Sequence, residues 1–276
     1  MSGDGRILRR RRCIASAGAM LIAPFLVIAT SRNAEAACDL EWQGEARVSA
    51  IVDARTLRLD DGRDIRLAGI ESPGRDQSAA IAALRVLAEG RDVTLHGPND
   101  APDRYGRQRA FVVVSGARTS LQDRLLREGQ ARAAGTAADR ACNMELIQAE
   151  AQARSAKRGL WAGSDAIKNA ERPADILAEV GRFALVEGKV VSVRQAGTIW
   201  YVNFGRRRIE GFAATISRRM MPAVEMQGLS LTSLAGRRVR IRGWVTRRGG
   251  PRIDIVHPGQ IEPIDDNQAA TAARDE

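Results

Sequence analysis

Few residues of this chain are suited to holding a metal or attacking a bond, and many are suited to holding an anion. Two histidines, His96 and His257, cannot supply a three-histidine metal site, and Cys13, Cys38 and Cys142 are too dispersed for a zinc cluster. No GxxxxGK[ST] or GxGxxG run is present, which argues against a P-loop ATPase and a dinucleotide enzyme. What remains is arginine chemistry. The 276 residues carry 43 Lys and Arg against 33 Asp and Glu, a formal charge of +10. Such a balance favours anionic partners such as nucleic acid or phosphate. Gly205-Arg206-Arg207-Arg208, Arg218-Arg219 and the stretch Arg237–Arg242 read either as a basic face or as the solvated sides of strands.

The elements that must position these side chains are mostly short strands. At 44% hydrophobic residues the chain can bury a real core, and its length suits two domains. Residues 45–53 alternate apolar and polar, as a half-buried strand does; Thr56–Leu59 and Asp64–Ile70 follow around an Asp61-Gly62 turn. Residues 76–89 read as a helix ended by Gly90, Asp92–Leu95 and Arg109–Val114 as strands, and Ser120–Arg127 and Arg140–Arg158 as helices. Strand-strand-strand-helix-strand-strand is the order of an OB-fold barrel. Residues 163–180 read as a linker. Five more strands (Phe183–Val193, Thr198–Phe204, Arg208–Ile216, Arg237–Thr246 and Arg252–Val256), with a helical segment after the third, predict a second OB-like β-barrel over 181–265. The expected class is therefore α+β, mainly β, with a polar tail at 266–276.

The amino terminus reads as an export segment. Five arginines lie between Arg6 and Arg12, an apolar run spans 13–30, and Ala34-Glu35-Ala36 forms an A-x-A cleavage site. Removal of 1–36 takes away six Arg and two acids and leaves +6. It would place the protein in the periplasm or outside the cell with no membrane span. Cys38 and Cys142 would be the only mature cysteines, and a pair in an oxidising compartment is expected to bond.

Four segments then recur in order: Val52-Asp53-Ala54-Arg55-Thr56; Ile65-Arg66-Leu67-Ala68-Gly69-Ile70-Glu71-Ser72-Pro73; Asp103-Arg104-Tyr105-Gly106-Arg107; and Ala149–Arg154 leading to Gly159-Leu160-Trp161. Together they resemble the thermonuclease family, the staphylococcal-nuclease-like domain, over about residues 44–162. The resemblance implies metal-assisted phosphodiester hydrolysis. Carboxylates hold calcium, a Glu positions or activates water, and two arginines neutralise charge on the transition state. Carried over by position, the arginines are Arg66 and Arg107, the carboxylate is Glu71 where the family usually has Asp, and Ser72 replaces a Thr whose carbonyl contacts the metal. Tyr105 is a packing or substrate-contacting residue beside them.

Two positions depart from that pattern. The family's D-G-D-T is Asp53-Ala54-Arg55-Thr56, so a metal-ligand Asp is Arg55. The family's P-E is Pro73-Gly74, so the catalytic Glu is absent. An arginine there should repel calcium and pair with Glu71 instead. Asp76 reads as a substitute carboxylate or as a helix N-cap. Two functions stay open: an exported nuclease with altered metal use, or a catalytically degenerate nuclease fold that binds nucleic acid, another polyanion or a partner. In the second barrel, the strand Ile199–Phe204 offers aromatics either for stacking bases or for core packing.

Overall fold

A computed structural model describes residues 38, 40–74, 76–137, 139–205 and 210–264. The expected export segment at 1–36, the Arg206–Arg208 run and the tail at 266–276 lie outside them. The first half is built on a closed five-stranded barrel in the order β1-β2-β3-β6-β5. Its strands are β1 (Trp42–Asp53), β2 (Thr56–Leu59), β3 (Asp64–Leu67), and, after a two-residue β4 (Ile70–Glu71) and helix α1 (Ser78–Ala88), β5 (Asp92–His96) and β6 (Arg107–Val114). β1 closes the barrel because it is long and bends. Register shifts after Trp42, Val48 and Ile51 let its first half pair with β5 and its second half with β2. β3 and β6 run parallel, as the crossover through α1 requires. Inward positions are apolar, among them Val48, Leu57, Ile65, Leu95 and Val112.

Helices α2 (Leu121–Arg127) and α3 (Arg140–Ser155) close this barrel, with a two-residue strand β7 (Arg132–Ala133) between them pairing with β4. Ser120 caps α2 through Asp123 N–H, and Asp139 caps α3 through Ala141 N–H. Buried Gln122 ties α2 to the barrel: its Oε1 accepts from Val112 N–H and its Nε2 donates to the Ala110 carbonyl. Cys38 is bonded to Cys142 on α3, a closure across 104 positions that fixes the entry to β1. By chain-entropy reasoning it stabilises by roughly 4–5 kcal/mol.

The second half differs from expectation. Its sheet has eight strands in the order β10-β11-β12-β14-β13-β9-β8, with β15 beside β13, and hydrogen bonding leaves it an open path where a second closed barrel was expected. The strands are β8 (Ile167–Asn169), then, after α4 (Pro173–Leu177), β9 (Phe183–Lys189), β10 (Ser192–Ala196), β11 (Ile199–Asn203), β12 (Ala213–Ser217), and, after the short α5 (Met221–Met226), β13 (Arg238–Arg248), β14 (Gly250–Ile255) and β15 (Ile261–Pro263). The single strand expected over Phe183–Val193 is broken at Val190-Val191. Val190 N–H bonds the Arg237 carbonyl on one side and Val191 N–H bonds the Asn203 carbonyl on the other. β10 at one end of the path and β9, next to the other end, are thus consecutive in the chain, and from β10 to β9 the order repeats that of the first barrel with its first strand divided. The expected linker 163–180 is no free connector either. β8 pairs in parallel with β9, and Ala170 and Ile176 are buried in the second core.

The described residues belong to one compact unit. A third small core spans the seam, with Ala134, Ala153 and Trp161 from the first half against Phe183 and Leu185 from the second. Beside it lies a charge network. Arg242 on β13 and Glu150 on α3 are both fully buried. Arg242 Nη1 donates to Glu150 Oε2 at 3.0 Å and to the Ala133 carbonyl at 2.8 Å, and its Nη2 donates to Glu262 Oε2 at 2.7 Å. Glu150 also accepts from Ala133 N–H and Arg154, and Arg240 bridges Glu262 to Glu187. Three guanidiniums face three carboxylates, which is what permits their burial. Burial alone would raise Glu262, but the Arg242 and Arg240 guanidiniums outweigh it and hold the carboxyl below the ordinary glutamate value. The alternating arginines of β13 are therefore not the solvated side of a strand: Arg240 and Arg242 point into the seam.

Removing one partner leaves a buried charge. Arg242→Ala or Glu150→Ala should each lower stability by roughly 3–5 kcal/mol in urea unfolding, and the double change Arg242→Met with Glu150→Leu should cost less than the sum of the two.

Candidate functional site

The turn between β1 and β2 brings Arg55 to the site. Asp53 Oδ1 accepts from Arg55 N–H at 2.8 Å and its Oδ2 accepts from Thr56 Oγ at 3.0 Å, so this carboxylate is used in shaping the turn. The Arg55 side chain then crosses to β4. Its Nη1 donates to the Ile70 carbonyl at 3.1 Å and lies 2.5 Å from Glu71 Oε2, with the two side chains only 12% and 13% exposed. Burial pushes the Glu71 carboxyl above its ordinary value, and Arg55 first, then Arg109, pull it back only in part. The pairing expected from the substituted position is present. Among the described residues no three His, Cys, Asp or Glu side chains cluster as metal ligands.

Arg66 and Arg107 come together through strand register. On the parallel pair β3–β6, Asp64 lies opposite Arg107 and Arg66 opposite Arg109. Ile65, Leu67, Gln108 and Ala110 fill the barrel side, so these four charged residues share the outer face. Arg66 has no ion-pair partner among the described residues. Arg107 is held by Asp103, its Nη2 donating to Oδ2 at 2.8 Å, and that hydrogen bond, chiefly, holds the Asp103 carboxyl below its ordinary value. Tyr105 packs against no core. It is 67% exposed, with the Arg107 and Arg104 guanidiniums 4.9 and 5.0 Å from its ring centre.

The loop after Glu71 is tight. Gln77 Nε2 donates to Ser72 Oγ and to the Gly74 carbonyl, each at 3.4 Å. Gly74 has φ +131°, a backbone that a side chain resists, and a Cβ built there would stand 3.8 Å from Arg132 Nη1. Asp76 is exposed and accepts from Ser78 N–H at 2.9 Å one residue before the formal cap of α1, the local role open to it from sequence. His96 is bonded to Thr94 and Leu40, and His257 is exposed, near enough to Arg109 to feel its charge. Trp200 on β11 and Phe204 just after it pack with the core, while Tyr201 lies between Arg194 and Arg252.

Three contributors carry no sequence signal of their own. Arg109 belongs to the strand pattern and shows its place only through register with Arg66. Arg132 sits on a two-residue strand outside any motif. Trp244, on β13, is distant in sequence yet faces Glu71 and packs edge-on against Phe183, ring centres 6.3 Å apart. With the 71–77 loop, Arg132 and residues 165–184, it lines a cavity of about 390 Å³.

Arg55→Ala would leave Glu71 buried without its partner. Stability should fall by roughly 3–5 kcal/mol at neutral pH. A carboxyl raised in the folded state costs stability as pH rises through its folded pKa, so the deficit should shrink as pH is lowered through that range. Glu71→Gln should be milder and nearly pH-independent, as read by thermal melts across pH.

No curated protein matches the chain at a significant level. The matched family segment begins at β3, after the β1–β2 turn that carries Arg55, and ends just past Trp161. Residues 64–163, with the Arg66, Glu71 and Arg107 positions, match the family described as staphylococcal nuclease homologue, the family that the motifs resemble, and this chain therefore carries a staphylococcal-nuclease-like domain.

Proposed function

We propose that this is an exported protein that uses a nuclease-type scaffold to bind nucleic acid, or another phosphate-rich polyanion, without calcium-dependent hydrolysis. The observation that carries the reading is the Arg55–Glu71 pair. A hard cation needs several oxygen ligands with net negative charge. Here a guanidinium stands against the remaining carboxylate, Asp53 is committed to its turn, and Gly74 brings no carboxylate. The residues present do not fit calcium. What they do fit is binding, because Arg66, Arg107 and Arg109 share an outer face beside exposed Tyr105. Planar guanidiniums suit phosphate oxygens, and an exposed ring suits a base.

Export is supported by the Cys38–Cys142 bond, which belongs to an oxidising compartment, and no helix among the described residues is long and apolar enough to cross a membrane. Intact-mass measurement on protein from the native envelope should give a chain starting at Ala37; a mass that includes residues 1–36 would defeat this.

Oligonucleotide binding should weaken as salt rises, and Arg66→Ala or Arg109→Ala should each lower the salt slope by about one. Cleavage assays with calcium, magnesium or chelator should show little or no calcium dependence. Arg55→Asp with Gly74→Glu should gain calcium-dependent cleavage, reduced by the strain of a side chain at that left-handed glycine, and Arg66→Ala should abolish the gain. Robust calcium-dependent cleavage by the wild type would support the reading as an active nuclease instead.

A further inference from the structure

We propose that the cavity between the 71–77 loop and the second sheet is a binding site for a nucleoside monophosphate, with Arg132 holding the phosphate and Trp244 the base. Charge accounting picks out Arg132. Of the cations lining the cavity, Lys168 is held by Asp165 at 2.7 Å and Glu179 at 3.4 Å, and Arg182 is held by Glu179 at 3.5 Å. Glu71 is held by Arg55. Arg132 has no carboxylate within 4 Å among the described residues. Its Nη1 donates to the Pro73 carbonyl, and its Nε is buried with no partner. Burial opposes the Arg132 charge, Glu150 and Glu179 offset this only in part from beyond ion-pair distance, and an anion that accepts from the guanidinium lowers the cost further.

Shape and the remaining charges narrow the anion. At about 390 Å³ the cavity lies at the small end of ligand pockets, roughly 300–1,000 Å³, which suits a nucleotide more than a stretch of polymer. The Trp244 indole is half exposed beside it and backed by Phe183, a platform for a flat ring. Glu179 and Asp165 are already matched by Lys168 and Arg182, which leaves Arg132 as the one described lining cation for a phosphate, so a single phosphate is favoured over a di- or triphosphate. The nucleotide's source is either a free mononucleotide or the 5′-phosphorylated end of a strand; the recognition chemistry is shared. None of Arg66, Arg107 and Arg109 lines this cavity, so the proposal rests on other residues than the arginine face does.

Calorimetry on the mature chain tests this with adenosine 5′-monophosphate, adenosine, inorganic phosphate and adenosine 5′-diphosphate. A short oligonucleotide with and without a 5′-phosphate separates the two sources. Adenosine 5′-monophosphate should bind at least about tenfold more tightly than the other three small probes, and Arg132→Gln should lose about tenfold or more of that affinity. Trp244→Leu should weaken adenosine 5′-monophosphate while leaving phosphate unchanged. Thermal melts check folding; if Arg132→Gln does not fold, Arg132→Lys, which keeps the charge and loses the fork, should show a partial loss. Arg66→Ala should weaken strand binding and leave adenosine 5′-monophosphate binding intact, so the two readings fail separately. Absence of binding at millimolar adenosine 5′-monophosphate, or equal affinity in folded Arg132 variants, would overturn the proposal.

Discussion

Everything in this molecule that involves both halves is organised around the buried pair of Glu150 and Arg242. Neither charge is tolerable alone, so the helix that closes the first barrel and the central strand of the second sheet each carry what the other requires. Glu150 also receives Ala133 N–H, and Arg242 donates to the Ala133 carbonyl, so the pair clamps the short β7 strand between them. β7 in turn pairs with β4, which carries Glu71. A charge network that at first concerns only docking thereby sets the position of the residues around the candidate site.

At the candidate site the Arg55 guanidinium and the Glu71 carboxylate are each other's counter-charge, an arrangement different from a cluster of carboxylates, whose mutual repulsion a cation relieves. The arginines of the β3–β6 face are different: Arg107 is paired with Asp103, while Arg66 has no ion-pair partner among the described residues.

Much of the first half was legible in sequence because its signals are local. The Asp61-Gly62 turn, the alternation of β1 and the motif around Arg66 each act over a few residues, and the Arg55–Glu71 pairing followed from opposite charges at two positions that the family resemblance brings together. The second half was less legible. The break at Val190-Val191 has no composition signal, because it is set by which neighbouring strands accept the flanking amides. The arginines at 238, 240 and 242 alternate as a solvated strand would, and only partners far away in sequence, Glu150 and Glu187, reveal that two of them are buried. The residues at 163–180 are polar enough for a linker, yet Ala170 and Ile176 suffice to bind them into the sheet. Trp244 and Arg132 escaped for the same reason: their significance is a juxtaposition, not a motif.

Gly135 and Gly259 meet backbone to backbone at the seam; a Cβ on Gly135 would stand 2.4 Å from the Gly259 carbonyl oxygen, and one on Gly259 would stand 2.8 Å from that of Gly135. Such a contact works as a key in a slot. It leaves no room at that point for a side chain from either half, so any residue larger than glycine at 135 or 259 would have to part the two backbones there.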